Sequence, residues 1–290
     1  MPAGLWITRR VAPVSDPNTA LRALTEHPRV QAASERARAA CTELRWHQAL
    51  RRRIPEAAAE SRIRGAWASA ELDGARSTVD IVRDLMRGAR ARATDPDPTE
   101  RIIHGAMAAT AETEALAATA LTSPRQTLAR LHLAAAAELV APDQLGRPRT
   151  SPTSPEFADL GPAPGPEAIA ERLAQLDHIL TSDAPALLKL ALAHAEIAHV
   201  RPFERGNGLV ARALDRTLLR ATGLDPTGVV VPEAGHGAKG SVAYQGGLQA
   251  YGLGRLDGLL LWLDRCADAV VAGAGEGRRI ADAVLAGRLT

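Results

Sequence analysis

The stretch HAEIAHVRPFERGNGLVAR, residues 194–212, decides the reading of this 290-residue chain. An apolar helical segment runs into Arg201-Pro202-Phe203, then a Gly206-Asn207-Gly208 turn, then a second helix that carries Arg212. Proline cannot continue a helix, because it lacks the N–H and its ring clashes with the preceding turn. Glycine and asparagine accept the left-handed backbone of a tight turn. A helix that opens on such a turn leaves backbone N–H groups unpaired at the positive end of its dipole, which suits a phosphate or a carboxylate. Gly-Asn-Gly alone is a weak signal, since many tight turns share it. The Pro-Phe pair before it, Arg212 after it and the apolar helix that feeds it give it weight.

Upstream, residues 184–199 carry Leu187, Leu188, Leu190, Leu192 and Ile197 on nearly all faces, the pattern of a helix at the centre of a bundle. Such an element holds a site more rigidly than a loop can. Downstream, Val210, Leu214 and Leu218 share a stripe at i, i+4 spacing, which puts Arg212 and Arg216 on the other side. Arg216 and Arg220 read as a solvated face. His194 reads as a hydrogen-bonded structural histidine on a buried helix.

The same logic spreads over the chain. Aromatic residues make up only 3% of it, while Ala, Leu, Arg and Glu dominate, so an all-α fold is expected. Helices are expected near 17–26, 30–53, 55–67, 78–92, 98–121, 124–140, 166–180, 184–199, 207–222, 241–251 and 257–271. Asp16-Pro17, Asp97-Pro98, Ser123-Pro124 and Asp183-Ala184-Pro185 mark starts, a capping residue followed by proline. Residues 141–166 are too rich in Pro, Gly and Ser for a helix and too polar for a core strand; they form a long surface loop or short β-hairpin, either a lid over a site or a connection. Val229-Val230-Val231 is a short extended run. Gly273-Ala274-Gly275-Glu276-Gly277 follows a helix-like stretch with no βαβ unit around it, so it reads as a turn before a C-terminal helix rather than a dinucleotide loop.

Bulk properties narrow the function classes. Cys41 and Cys266 lie far apart and support neither a disulfide framework nor a zinc site; both read as small buried hydrophobes. Only Lys189 and Lys239 are lysines against abundant arginine, the coding bias of a GC-rich, bacterial-type genome. With a net charge of +2, that bias does not argue for nucleic acid. The basic run Arg51-Arg52-Arg53 has neither a helix-turn-helix signature nor aromatic interleaving around it. No segment reaches the roughly 18 apolar residues of a membrane span, and the first residues lack a secretory pattern. A cytoplasmic location is expected.

The 194–212 stretch resembles the signature of the Fic (Fido) family, His-Pro-Phe-x-(Asp/Glu)-Gly-Asn-Gly-Arg-x-x-Arg. Ser69-Ala70-Glu71-Leu72-Asp73-Gly74 looks like the inhibitory motif Ser/Thr-x-x-x-Glu-Gly of Fic proteins whose regulatory helix precedes the core. The resemblance covers about residues 60–270. It implies a Fic-like helical bundle with a short β-hairpin or loop flap, an N-terminal helical region over 1–95 with the inhibitory helix, and a core over 96–290. It also implies a nucleotide in the Gly-Asn-Gly cup, with the arginine at position 212 holding either its terminal phosphate or an inhibitory acid, here Asp73. The bland alternative for Ser69, Asp73 and Gly74 is a polar helix end closed by glycine.

Three positions depart from the family pattern. Arg201 stands where the family has its general base, and a guanidinium at pH 7 is about six pK units, or roughly 7–9 kcal/mol, from its neutral form. Arg205 stands where the family holds magnesium with an acid, so the metal has no ligand there; the neighbouring Glu204 would serve only in a rotated turn. Leu209 replaces the first motif arginine. The remaining set is Arg201, Phe203, Glu204, Arg205, Gly206, Asn207, Gly208 and Arg212, read as an arginine-rich cup that binds ATP, another nucleotide, a different phosphate ligand or an acidic segment of a protein partner without magnesium. Two alternatives stay open: an active Fic-type transferase that moves AMP or another phosphate-containing group onto a protein hydroxyl, with Arg201 stabilising charge, and a non-catalytic helical interaction module.

Overall fold

The computed structural model describes residues 16–288. In chain order the helices are α1 (Pro17–Glu26), α2 (Pro28–Arg45), α3 (Ile54–Leu72), α4 (Val79–Arg87), α5 (Pro98–Leu116), α6 (Pro124–Ala135), α7 (Pro166–Thr181), α8 (Ala186–Val200), α9 (Asn207–Ala221), α10 (Pro232–Gly237), α11 (Ser241–Gly252) and α12 (Leu256–Leu285). No strand occurs among the described residues, so the all-α expectation stands and the 141–165 connection is a loop, not a hairpin. Two short 3-10 turns, Pro142–Gln144 and Ala158–Leu160, punctuate it.

Local chemistry sets the helix ends. The Asp16 carboxylate accepts from the Asn18 and Thr19 amides, and Asp97 forms a reciprocal capping box with Glu100. The expected 30–53 helix is two pieces: α2 stops at Arg45, and the His47 ring accepts from the Ala49 amide to start a 3-10 turn. The helix expected over 55–67 instead runs on to Leu72, which brings Ser69 to its last turn. The start expected at Asp183 shifts as well, because Pro185 occupies the cap position in extended geometry and α8 begins at Ala186.

α8 is buried on every face, as its apolar pattern demands, and packs along α9. α9 is also enclosed, by α3, α5, α6, α8 and α10. Its polar stripe therefore meets protein rather than water, which overturns the solvated reading of Arg216. That residue is 5% exposed, lays Nε and Nη2 on the two Glu233 oxygens at 2.9 Å each, and donates through Nη1 to the Ser61 hydroxyl at 2.9 Å. A bidentate fork of this kind is the geometry in which a buried charge pair is tolerated. Arg220, partly exposed, reaches Glu114.

The turn expected at 273–277 is also corrected, because α12 runs unbroken through it. The glycines serve a close approach. A Cβ on Gly273 would stand 2.6 Å from the Val231 carbonyl oxygen, and one on Gly277 would stand 2.6 Å from that of Val229. The extended 229–231 run lies directly on this glycine face, and the Val231 amide donates to the Gly273 carbonyl at 3.1 Å. One apolar core joins the elements from Leu21 to Val284. The Trp262 indole ties α12 to α8 by donating to the Ala191 carbonyl at 2.7 Å.

Candidate functional site

Arg201 ends α8 in the left-handed region, φ 46°, where a non-glycine residue is uncommon and strained. The chain then reverses through Pro202 and Phe203. The Phe203 amide donates to Asn207 Oδ1 at 2.9 Å while Asn207 Nδ2 donates back to the Phe203 carbonyl at 2.9 Å, so one asparagine side chain closes the loop. His132 of α6 stacks on the Phe203 ring, with centroids 3.9 Å apart and planes 5° from parallel. Its Nδ1 accepts from the Gly146 amide at 2.9 Å, which leaves the proton on Nε2 to be donated to the Arg205 carbonyl at 3.1 Å. Burial pushes the His132 pKa down to about 4, so the ring is a neutral strut.

Gly206, φ 83°, opens α9 without a local cap. The nest it creates is filled. Glu156, from the loop between α6 and α7, accepts from the Gly206 amide at 2.6 Å through Oε1. Its Oε2 accepts from the Asn207 amide at 2.8 Å and from Asn207 Nδ2 at 2.7 Å. Three donors thus converge on one carboxylate, the arrangement expected of an oxyanion site at a helix N-terminus. Burial, followed by the neighbouring Asp73 carboxylate, raises the Glu156 pKa against the lowering effect of these hydrogen bonds.

Behind the nest, Arg212 is fully buried. Its Nε donates to the Ser69 hydroxyl at 2.9 Å, and its Nη2 donates to the Ser69 carbonyl at 3.0 Å and to Asp73 Oδ1 at 2.6 Å. Burial lowers its pKa, but Asp73 and Tyr244 together outweigh this and the pKa is raised. Nη1 makes no hydrogen bond although the Tyr244 hydroxyl is near. Gly208 explains how an aspartate reaches so far. A Cβ there would stand 2.6 Å from Asp73 Oδ1 and 3.1 Å from Arg212 Nη1. Gly74, φ 84°, ends α3 just beyond Asp73.

The expected residues divide into three groups. Asp73, Gly74, Arg205 and Gly208 line one cleft of about 600 Å³, together with Glu156 and Tyr244. Arg212 stands at its back, under Gly208. Arg201 and Glu204 serve elsewhere, so the three arginines do not form one open cup. The Arg201 guanidinium is only 2% exposed and donates from Nη1 to the Glu156 and Phe157 carbonyls, both at 3.2 Å, because the loop folds over it. Glu204 accepts from the Ser151 hydroxyl at 2.8 Å. Arg205 is an exposed cation at the rim, and Arg76 and Arg101 line the same cleft.

Sequence reading missed Glu156, His132, Arg149 and Tyr244. Glu156 lies in an aperiodic Ser-Pro segment as one of three acids, with Asp143 and Asp159, in a loop long enough to be a lid, and nothing in the sequence singles it out. Tyr244 belongs to a buried network in which His194 Nδ1 meets Asp215 Oδ2 at 2.6 Å, His236 Nε2 meets the same oxygen at 2.9 Å, and His194 Nε2 meets the Tyr244 hydroxyl at 2.7 Å. Among the described residues this His-Asp-His group is the one whose ligand atoms come within 4.8 Å of each other. Its short contacts are those of two imidazole N–H groups sharing one carboxylate oxygen, consistent with His194 as a structural histidine. No helix among the described residues is long and apolar enough to cross a membrane.

Residues 124–219 match the family model described as Fic/DOC. A 74-residue segment is 36% identical to the "Protein adenylyltransferase Fic" of Drosophila virilis, covering 24% of this chain and 15% of that protein. The chain thus matches only a small part of that relative's length. A Fic family protein from Desulfovibrio desulfuricans G20 superposes with a TM-score of 0.72 at 17% identity, over 87% of this chain and 75% of that one. Fic-1 from C. elegans superposes with a TM-score of 0.61 at 18% identity, over 89% and 74%. The chain has a Fic fold, and the family match supports membership of the Fic/DOC family.

Proposed function

We propose that this Fic-fold chain binds a nucleotide or other phosphate-bearing ligand at the N-terminus of α9 and does not carry out ordinary AMP transfer. The observation that carries this reading is the convergence of the Gly206 amide, the Asn207 amide and Asn207 Nδ2 on one oxyanion position. Arg205 at the rim adds an exposed guanidinium able to take phosphate oxygens in pairs. The N-terminal helical part contributes α3, which presents Ser69 and Asp73 to Arg212, and the part from α5 onward holds the nest.

Against transfer stands the chemistry at two positions. A guanidinium occupies the place of the family's base, and it is fastened to loop carbonyls rather than free to meet a target hydroxyl. The place of the metal-binding acid holds Arg205, and the adjacent Glu204 is engaged by Ser151. Magnesium is therefore not needed for binding in this reading.

The test is calorimetric titration of ATP into the full chain, with and without magnesium, alongside the intact mass of the protein after incubation with both. Metal-independent binding with unchanged mass is expected. A covalent AMP adduct overturns the non-transferring reading, and lack of binding by ATP, inorganic pyrophosphate and acidic peptides alike overturns the phosphate site.

A further inference from the structure

The carboxylate in the nest comes from far along the chain. Helix N-termini are ordinarily capped by the residue at the cap or three positions later, but Glu156 lies 50 residues before Gly206. It arrives on a segment built to be held at its ends. The Arg149 guanidinium donates to the Ser151 and Pro164 carbonyls, at the two ends of the intervening run, and through Nε and Nη2 to the Arg201 and Val200 carbonyls of the core. Residues 152–163 thus form a strap pinned at its base by one side chain.

The tip rests Phe157 and Leu160, both half-buried, against the core, and its polar contacts are few. Its polar tethers are Arg201 on the Glu156 and Phe157 carbonyls, an exposed contact from Gln249 Nε2 to the Asp159 carbonyl at 3.2 Å, and the Glu156 carboxylate itself. Phe157, the next residue, takes a left-handed φ of 51°, where a non-glycine residue is uncommon and strained. The closed position also sets Glu156 against the like charge of Asp73, which raises its pKa after burial. Beside the nest, the buried Nη1 of Arg212 lacks an acceptor at the Gly208 wall. A carboxylate fits the nest's three donors but leaves that N–H unanswered, whereas a tetrahedral oxyanion carries further acceptor oxygens.

The geometry points to Glu156 as a displaceable internal ligand: the 152–163 strap closes the oxyanion nest with a built-in carboxylate, and a phosphate-bearing ligand binds by replacing it and opening the strap. The inference rests on the reading that this nest binds phosphate. In thermodynamic terms only the open fraction is competent, so the apparent dissociation constant equals the intrinsic one divided by that fraction. A strap open on the order of 1–10% of the time weakens binding about 10- to 100-fold. Asp73 acts differently, by pairing with Arg212 behind the nest rather than by filling it.

The experiment compares wild type with Glu156→Ala and the shape-preserving Glu156→Gln, all as full chains, by two measurements. Hydrogen exchange reports the amides of Gly206 and Asn207 and the peptide 152–163, and calorimetry reports affinity for inorganic pyrophosphate and for ATP. The expected result is faster exchange in both regions and affinity about tenfold or more tighter in Glu156→Ala, with Glu156→Gln between it and wild type. Unchanged exchange shows that Glu156 does not occupy the nest in solution and overturns the inference. Faster exchange with unchanged affinity makes Glu156 a helix cap only, which also overturns it and leaves the phosphate site standing. Faster exchange with no binding in any variant removes the phosphate site itself, and the competitor role falls with it.

Discussion

Asp73 and Arg212 lie 139 residues apart in the chain and 2.6 Å apart in space, joining the end of α3 to α9. The guanidinium is fully buried, and the carboxylate side chain is 22% exposed. A methylene shorter than the glutamate it would replace in the family motif, Asp73 still reaches its partner because Gly208 offers no side chain between them. The pair sits beside the Glu156 carboxylate, so one buried cation and the α9 N-terminus together hold two acids.

Removing either member of that pair leaves a charge without its partner in a dry site. Arg212→Ala is expected to lower stability by about 3–5 kcal/mol, and Asp73→Asn by about 1–3 kcal/mol, as its side chain keeps some water contact. In a double-mutant cycle read by urea unfolding, the coupling should exceed about 1 kcal/mol. Additive losses would mean that the two groups do not interact in solution.

Gly208→Ala should break the same contact by steric means. The new methyl would displace Asp73 Oδ1, which lies 2.6 Å from its position, at a cost of about 1–3 kcal/mol. In an Asp73→Ala background the cost should shrink, because the obstructing carboxylate is gone. An equal cost in both backgrounds would place the clash elsewhere.

The His132 shift defines an acid-side stability slope. Its folded pKa is lowered from 6.5 to about 4 by burial, so between these values the unfolded chain binds a proton that the native ring refuses. Stability from this group is fully present above pH 6.5 and is lost as pH falls toward 4, by about 3 kcal/mol in total. Protonation would also remove the acceptor that the Gly146 amide needs. Comparing urea midpoints of wild type and His132→Gln across pH 4–7 checks this; identical slopes would contradict it.

Glu156 titrates in the opposite sense. Its folded pKa is raised above 4.5, so its contribution is present below 4.5 and is lost as pH rises through the folded value. Asp73→Asn removes one of the two causes and leaves burial, so the Glu156 carboxyl should titrate lower in that variant. Carbon-detected NMR of the side chain reads the change directly. A Glu156 titration that stays in place would show that Asp73 is not its neighbour in solution.

Two glycines of α12 should answer differently to the same substitution. Gly273→Ala drives a methyl into the Val231 carbonyl, 2.6 Å away on rigid backbone, and should destabilise by about 1–3 kcal/mol. Gly275 has open space around its Cβ position, so Gly275→Ala should stabilise by roughly 0.5–1 kcal/mol through helix propensity. Thermal unfolding of both variants decides the matter. A loss of stability in Gly275→Ala would argue against a continuous helix through 273–277.

Much of the fold was legible because helix signals are local. Pro17, Pro98 and Pro124 begin helices where a capping-type residue before proline marks them, with side-chain caps formed by Asp16 and Asp97, and the all-round apolar pattern of α8 announces its central place. Where the reading went astray, partners distant in sequence had intervened. Arg216 is buried because Glu233 and Ser61 close on it, and the 273–277 glycines stay helical because the 229–231 run lies on them, contacts that residue type and near-neighbour spacing do not encode.

The sequence by itself determined the helical class, the Gly-Asn-Gly opening of α9 and the identities at 201, 205 and 209 that set this chain apart from the family pattern. These are properties of residue type and near-neighbour spacing. Tertiary structure alone decided that Arg201 grips the loop instead of facing a ligand, that Asp73 meets Arg212, and that Glu156 fills the nest. The reason is that an oxyanion site is completed by side chains converging from separate elements. Which acid reaches a given amide depends on how the loop and helices pack, and that information is spread across 50 or more residues of chain.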